Sequence, residues 1–310
     1  MKVAAIDCGT NTIKLLIGTL AGEGADATLS AEVKEARMVR LGEGLDQSGV
    51  IGEAALTRAF AAIEEYADLI RAHGAERIRF VATSATRDAG NADVFTDGVR
   101  DRLGVEVEVV AGSEEAALAF DGAVRNLAVV PALPVLVVDI GGGSTELIRG
   151  ASLSAPPTTA YSMQIGSVRL HERHLRCDPP TMAEVAACVR DIDDQLDQCP
   201  VDPSRAATVV GVAGTITTLA AGVLGLAAYD REAIDQAVLP VAEVHALVDQ
   251  LVAMTVSERL TLGWMHPGRA DVIAAGGLIL SRILRRVPVE QIVVSESDIL
   301  DGIAWSLRER

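Results

Sequence analysis

One pattern occurs twice in this chain and constrains its fold more than any other feature. An apolar run at 3–7, VAAID, ends in Asp-x-Gly and a polar turn, CGTNT, and a second apolar run, IKLLIGTL, follows at 13–20. VLVVDIGGGSTELIRG at 135–150 repeats the arrangement, with Asp139 lying 132 residues after Asp7. Two apolar runs joined by a short Gly- and hydroxyl-rich turn read as a hairpin with a polar tip. The same hairpin in each of two domain-sized halves reads as an internal duplication. The 310 residues are about twice the ~150 of an average domain, which leaves room for one domain per copy.

Around the hairpins, strand and helix patterns alternate. Apolar side chains at Leu56, Phe60, Ile63, Tyr66 and Ile70 recur at helical spacing over 53–73. Strand character returns at 77–85 and, with a period of two, at 105–112; 113–128 then reads as a helix with Ser113 as its N-cap. A Pro-bounded turn at 131–134 suggests a hinge near 122–135. Further on come a strand, turn and helix at 208–222, a helix at 269–284 whose Gly276 and Gly277 allow close packing, and a strand, acidic turn and closing helix at 292–307. Interleaved elements of this kind make an α/β protein. The expected domains are 1–124 and 125–310, the last helix (about 297–310) packing back on the first.

Composition removes several functions. Hydrophobic residues at 49% and charged residues at 23% exclude a disordered or fibrous chain. A formal charge of −16 opposes a general nucleic-acid surface, whose affinity comes from phosphate neutralisation, and nine aromatic residues are too few for base-stacking platforms. The four cysteines show no metal-site spacing and read as reduced thiols. Asp7 interrupts any signal-like apolar segment, and no apolar stretch reaches a bilayer span, so the expectation is a cytoplasmic protein with no membrane partner. His171 and His174, three apart on a helix, read as surface residues.

The turns have a chemistry of their own. Glycines let backbone amides approach an anion, hydroxyls add donors, and an acid at a strand end can hold a divalent cation directly or through water. The plain alternative is a pair of tight turns in which Asp and Gly serve geometry alone.

Beyond the turns, IDCGTNTIKLLI (6–17), VATSATRDAGN (81–91), VVAGSEEA (109–116), VVDIGGGSTEL (137–147), MQIGSVRLHE (163–172), DPPT (178–181), VAGTITTLAA (212–221) and RADVIAAGG (269–277) run in order along nearly the whole chain. Together they resemble the exopolyphosphatase/guanosine pentaphosphate phosphohydrolase family, in its short two-domain form. The resemblance implies two actin-like (ribonuclease H-like) domains with an interdomain cleft, Asp7 and Asp139 on its opposite walls. It implies hydrolysis of the terminal phosphoryl group of polyphosphate, of guanosine pentaphosphate, or of both, with Mg2+ or Mn2+, stimulation by K+ and a homodimer. Glu115 is the base implied by the family pattern, with its neighbour Glu114 the competing assignment. Asp139 is the metal anchor, assisted by Asp7 and Glu146. Gly9, Thr10, Asn11 and Thr12 in the first half and Gly141, Gly142, Gly143 and Ser144 in the second would bind phosphate. So would Arg87, and Gly214 with Thr215, unless those two only cap their helix. Lys14, Arg40, Arg169 and Arg269 are further cation candidates. The short form implies a preference for short polyphosphate. A non-catalytic sensor that binds guanosine tetraphosphate, or a filament subunit, is the rival from another class.

Overall fold

The computed structural model describes residues 1–22, 27–153 and 155–308. In chain order the elements are β1 (Lys2–Cys8), β2 (Thr12–Ala21), β3 (Thr28–Met38), α1 (Glu53–His73), β4 (Arg77–Ala82), α2 (Ser84–Asp88), α3 (Ala92–Leu103), β5 (Val107–Val109), α4 (Gly112–Arg125), β6 (Val135–Ile140), β7 (Thr145–Gly150), β8 (Thr159–Met163), α5 (Ser167–His174), α6 (Met182–Gln198), β9 (Thr208–Val212), α7 (Ala213–Val223), β10 (Val238–Pro240), α8 (Val241–Ala253), α9 (Ile273–Leu284), β11 (Gln291–Val294) and α10 (Ile299–Ser306), with single helical turns between some of them. The chain forms two compact units: Met1–Gly122 with Ile299–Arg310, and Ala123–Asp298.

The first unit holds a five-stranded sheet in the order β3-β2-β1-β4-β5 and the second a six-stranded sheet in the order β10-β11-β9-β6-β7-β8. In each, the hairpin is antiparallel and its first strand runs parallel to the next: β1 with β2 and β4, β6 with β7 and β9. The duplication therefore extends from the turns to the strand order. β1 and β6 are buried along almost their whole length, as central strands covered on both faces are. In the first unit Ile6, Ile13, Leu15, Ile63, Phe80 and Phe95 form the core, and the Tyr66 hydroxyl donates to the carbonyl of Ile13 at 2.9 Å. Each such aliphatic or aromatic side chain stabilises the fold by about 1.5–3 kcal/mol through burial. In the second unit Val138, Leu147, Ile216, Leu219 and Ile279 do the same. α10 packs on β1 and β2 and against α4, where a Cβ on Gly302 would meet the backbone of Leu118.

Several expectations need correcting. The strand at 77–85 stops at Ala82, and Ser84–Asp88 turn into a short helix; the strand at 105–112 is only Val107–Val109. Ser113 lies inside α4 rather than capping it, and the carbonyl of Ala111 receives the amides of Glu114 and Glu115. The helix at 269–284 begins at Ile273, after a 3-10 turn at Pro267–Arg269. His174 is half-buried, its Nε2 2.8 Å from Asp191 Oδ2. Gly276 and Gly277 do pack closely: a Cβ would lie 2.6 Å from Thr215 Cγ2 and 3.1 Å from Val248 Cγ2. All four cysteines are free thiols. No helix among the described residues is long and apolar enough to cross a membrane.

Candidate active site

The two turns are closed by the same hydrogen bond. Gly9 N–H donates to Thr12 O at 3.0 Å, and Gly141 N–H donates to Ser144 O at 3.0 Å, in positions 132 residues apart. In the first turn the carbonyl of Thr10 accepts from Gly42, and that of Asn11 from Val39 and Arg40. With those carbonyls occupied, the amides of Thr10 and Asn11 donate to no described residue. The side chains are engaged instead. The Thr10 hydroxyl lies 3.0 Å from that of Ser84, and the Thr12 hydroxyl and Asn11 Nδ2 donate to the Met38 sulfur. What the first turn offers an anion is therefore its backbone, not its hydroxyls. Asp7 is 4% exposed and faces Lys14, its cross-strand partner, whose Nζ is 3.6 Å from Oδ2.

Glu114 and Glu115 are adjacent in α4 but differ in burial and in partner. The Glu114 side chain is 48% exposed and binds Arg79, whose guanidinium, 2% exposed, also pairs with Glu108 and reaches the Ser306 hydroxyl. The Glu115 side chain is 9% exposed, and Arg87 Nη1 donates to its Oε2 at 3.0 Å. Burial pushes the Glu115 carboxyl above its ordinary range; the hydrogen bond and charge of Arg87 pull it back, Thr83 helps, and Asp88 adds to the rise. A buried carboxylate held above its ordinary range is a stronger proton acceptor than an exposed one.

In the second unit, Asp139 and Glu146 are direct cross-strand partners on β6 and β7. Such pairs put their Cβ atoms about 4.5–5.5 Å apart on one face. Both are nearly buried, and the Ser162 hydroxyl donates to Glu146 Oε1 at 2.6 Å. The adjoining loop is held by the start of α5. Amides of Ser167, Val168 and Arg169 donate to the carbonyls of Gly141 and Gly142, and Arg169 Nε donates to Gly143 O at 2.8 Å. These bonds satisfy amides that a helix start leaves open and turn the loop carbonyls inward. The amides of Gly142 and Gly143 then donate to no described residue, as at Thr10 and Asn11. Gly166 makes this packing possible, because a Cβ there would lie 2.6 Å from Gly143 N and collide with the Gly142 carbonyl.

Gly214 and Thr215 stand in the first turn of α7, after Ala213 at φ 67°, a left-handed conformation costly for a residue with a Cβ. The Arg269 guanidinium lies over Gly214, where a Cβ would come within 2.8 Å of Nε, and its Nη1 donates to the Thr218 hydroxyl at 3.0 Å. Burial lowers the Arg269 pKa, and Tyr229 and Glu296 oppose that shift. A guanidinium at a helix start adds charge to the partial positive charge already there, an arrangement that favours an anion.

No group of three or more His, Cys, Asp or Glu side chains among the described residues is placed to hold a metal. The paired carboxylates of Asp139 and Glu146 still fit magnesium, which typically takes one or two carboxylates and completes its shell with waters and phosphate oxygens. Asp7, already beside Lys14, lies in the other unit. The arginines that order the site have different legibility. Arg87 and Arg169 stand inside quoted motifs, whereas nothing in the sequence marks Arg79 as buried or Ser84 and Ser162 as partners of Thr10 and Glu146.

Comparison with known proteins identifies the family. Exopolyphosphatase 2 of Mycobacterium tuberculosis is 44% identical over 99% of this chain and 98% of its own length. A solved exopolyphosphatase-like protein superposes with a TM-score of 0.94 at 41% identity, covering 100% of this chain and 99% of its own. An exopolyphosphatase from Cytophaga hutchinsonii gives a TM-score of 0.87 at 27% identity, covering 100% and 98%. The model of the Ppx/GppA phosphatase family matches residues 23–310, and the chain belongs to that family.

Proposed function

We propose that this protein hydrolyses the terminal phosphoryl group of inorganic polyphosphate. The observation that carries the reading is the repeated turn. Each unit presents two adjacent amides, Thr10–Asn11 and Gly142–Gly143, with their carbonyls turned away, and backbone donors of this kind bind phosphate oxygens. The phosphates of such a chain carry the oxyanions that a cradle of this kind takes.

In this reading Glu115 accepts a proton from water as the water oxygen bonds to the terminal phosphorus. The P–O bond to the next phosphate breaks, and the leaving oxygen stays on the shortened chain. In the first unit the Thr10 and Asn11 amides and Arg87 hold phosphoryl oxygens; in the second the Gly142 and Gly143 amides do so, and Arg269 with the start of α7 adds a further positive site. Asp139 and Glu146 would hold Mg2+ or Mn2+, which when bound offsets phosphate charge. Asp7 keeps Lys14 in place at the first turn. The reading carries with it stimulation by K+, a homodimer and a cytoplasmic location.

Phosphate release should be measured with Mg2+ on short polyphosphate, long polyphosphate, guanosine pentaphosphate and ATP. The expected result is release from polyphosphate, lost by roughly 10²–10⁴-fold in Glu115→Gln as general-base contributions run. Release from guanosine pentaphosphate alone would assign the other activity implied by the resemblance. Binding of guanosine tetraphosphate with no release from any of the four would assign the sensor instead.

A further inference from the structure

Arg87 has a geometry that phosphate binding alone does not require. Its Nη1 donates to Glu115 Oε2 at 3.0 Å and to the carbonyl of Val110 at 3.0 Å, so one nitrogen ties the carboxylate to the segment leading from β5 into α4. Its Nε and Nη2 make no hydrogen bond to a described residue, and the side chain is 24% exposed. The helix that carries it is anchored to the first turn. Thr83 N–H donates to Cys8 O at 3.1 Å, Arg87 N–H donates to Thr83 O at 3.0 Å, and Ser84 pairs with Thr10. A guanidinium is a rigid plane with five donors, and its edges can serve two acceptors at fixed separation.

We propose that Arg87 is a bridging residue, whose Nη1 holds Glu115 against Val110 while its Nε–Nη2 edge takes an oxygen of the terminal phosphoryl group, so that one rigid group sets the distance between base and phosphorus. The proposal rests on the reading of Glu115 as the base. It goes beyond it in assigning Arg87 a positioning role toward the base as well as a contact with substrate. The groups facing Glu115 are Arg87 and Asp88 on α2 and Thr83, the residue between β4 and α2, and of these only Arg87 is a cation.

The test compares the pH dependence of kcat and KM for wild type, Arg87→Gln, Arg87→Lys and Glu115→Gln, with polyphosphate as substrate and thermal melting as the check on folding. Removing a cation from within about 4–6 Å of a carboxylate raises its pKa by roughly one to three units. Arg87→Gln should therefore move the acid limb of the profile upward by that amount, recover part of its activity at alkaline pH, and raise KM. Arg87→Lys keeps one charge and loses the fork: its acid limb should stay near that of wild type while kcat falls roughly tenfold to a hundredfold from misplacement. An Arg87→Gln profile that coincides with wild type in its acid limb overturns the proposal, as does an Arg87→Lys enzyme equal to wild type in kcat and KM. If Arg87→Gln fails to fold, the Arg87→Lys comparison decides alone. Full turnover in Glu115→Gln is a different failure, since it removes the base itself rather than the bridge.

Discussion

Replacing Gly166 by alanine tests whether the second phosphate loop is held as tightly as its hydrogen bonds imply. The backbone of Gly166 is extended, at φ −150° and ψ 169°, so the substitution brings no backbone strain. The new methyl group instead meets the Gly142 carbonyl and lies 2.6 Å from Gly143 N, and both neighbours are backbone that cannot rotate aside. Two responses are open. If the loop holds, overpacking costs about 1–3 kcal/mol, and at roughly 2–4 °C per kcal/mol for a unit of this size the melting temperature falls by about 2–12 °C. If the loop yields, its amides move by about 1 Å, and such misplacement costs on the order of a hundredfold in rate. Melting curves and kcat/KM together capture either response. Gly52→Ala is the control, because its Cβ meets nothing within 4 Å and its φ of −69° is open to any residue. A Gly166→Ala protein that matches wild type in both melting temperature and kcat/KM refutes the argument.

Three further outcomes follow from the same geometry. Glu114→Gln should keep turnover, since that carboxylate serves Arg79, and phosphate release at saturating substrate checks it. Arg79→Ala should lower stability by about 1–3 kcal/mol in denaturant unfolding, because it strips a fully buried guanidinium from Glu108 and Glu114; partial exposure of both carboxylates keeps the figure below that of a fully buried pair. At the start of α6, Thr181 and Glu184 form a capping box, and the Thr181 amide, with help from Cys177, holds the Glu184 carboxyl down to about 2. A depressed folded-state pKa stabilises above the unfolded value and is lost as pH falls toward the folded one, so the melting deficit of Glu184→Gln should be complete at pH 7 and shrink between about pH 4 and pH 2.

The hairpins were legible because their central strands are unbroken apolar runs and their turns are written in Asp, Gly and hydroxyl residues. β3 was not, because the edge strand TLSAEVKEARM is mostly exposed or half-exposed and has no apolar face to announce it. Ser113 misled for a local reason: a good capping residue stood one turn position too late, and the Ala111 carbonyl opened the helix. Which of Glu114 and Glu115 is buried lay beyond sequence because neighbouring helix positions point in different directions. Only the placement of Arg79 and Arg87, on β4 and α2, shows which carboxylate is buried. The hydroxyls of the first turn looked like phosphate donors, and their partners Ser84 and Met38 come from distant parts of the chain.

The assignment of α10 to the first unit bears on how the protein is made. The second unit is one continuous stretch, Ala123–Asp298, and can close as soon as it leaves the ribosome. The first unit cannot. One side of β1 and β2 waits for Ile299–Ser306, which are synthesised only after those 176 residues. At about 5–20 residues per second, that side stays bare for roughly 10–35 s. For the nascent chain, the apolar strand that carries Asp7 is a surface to be shielded before it is part of an enzyme.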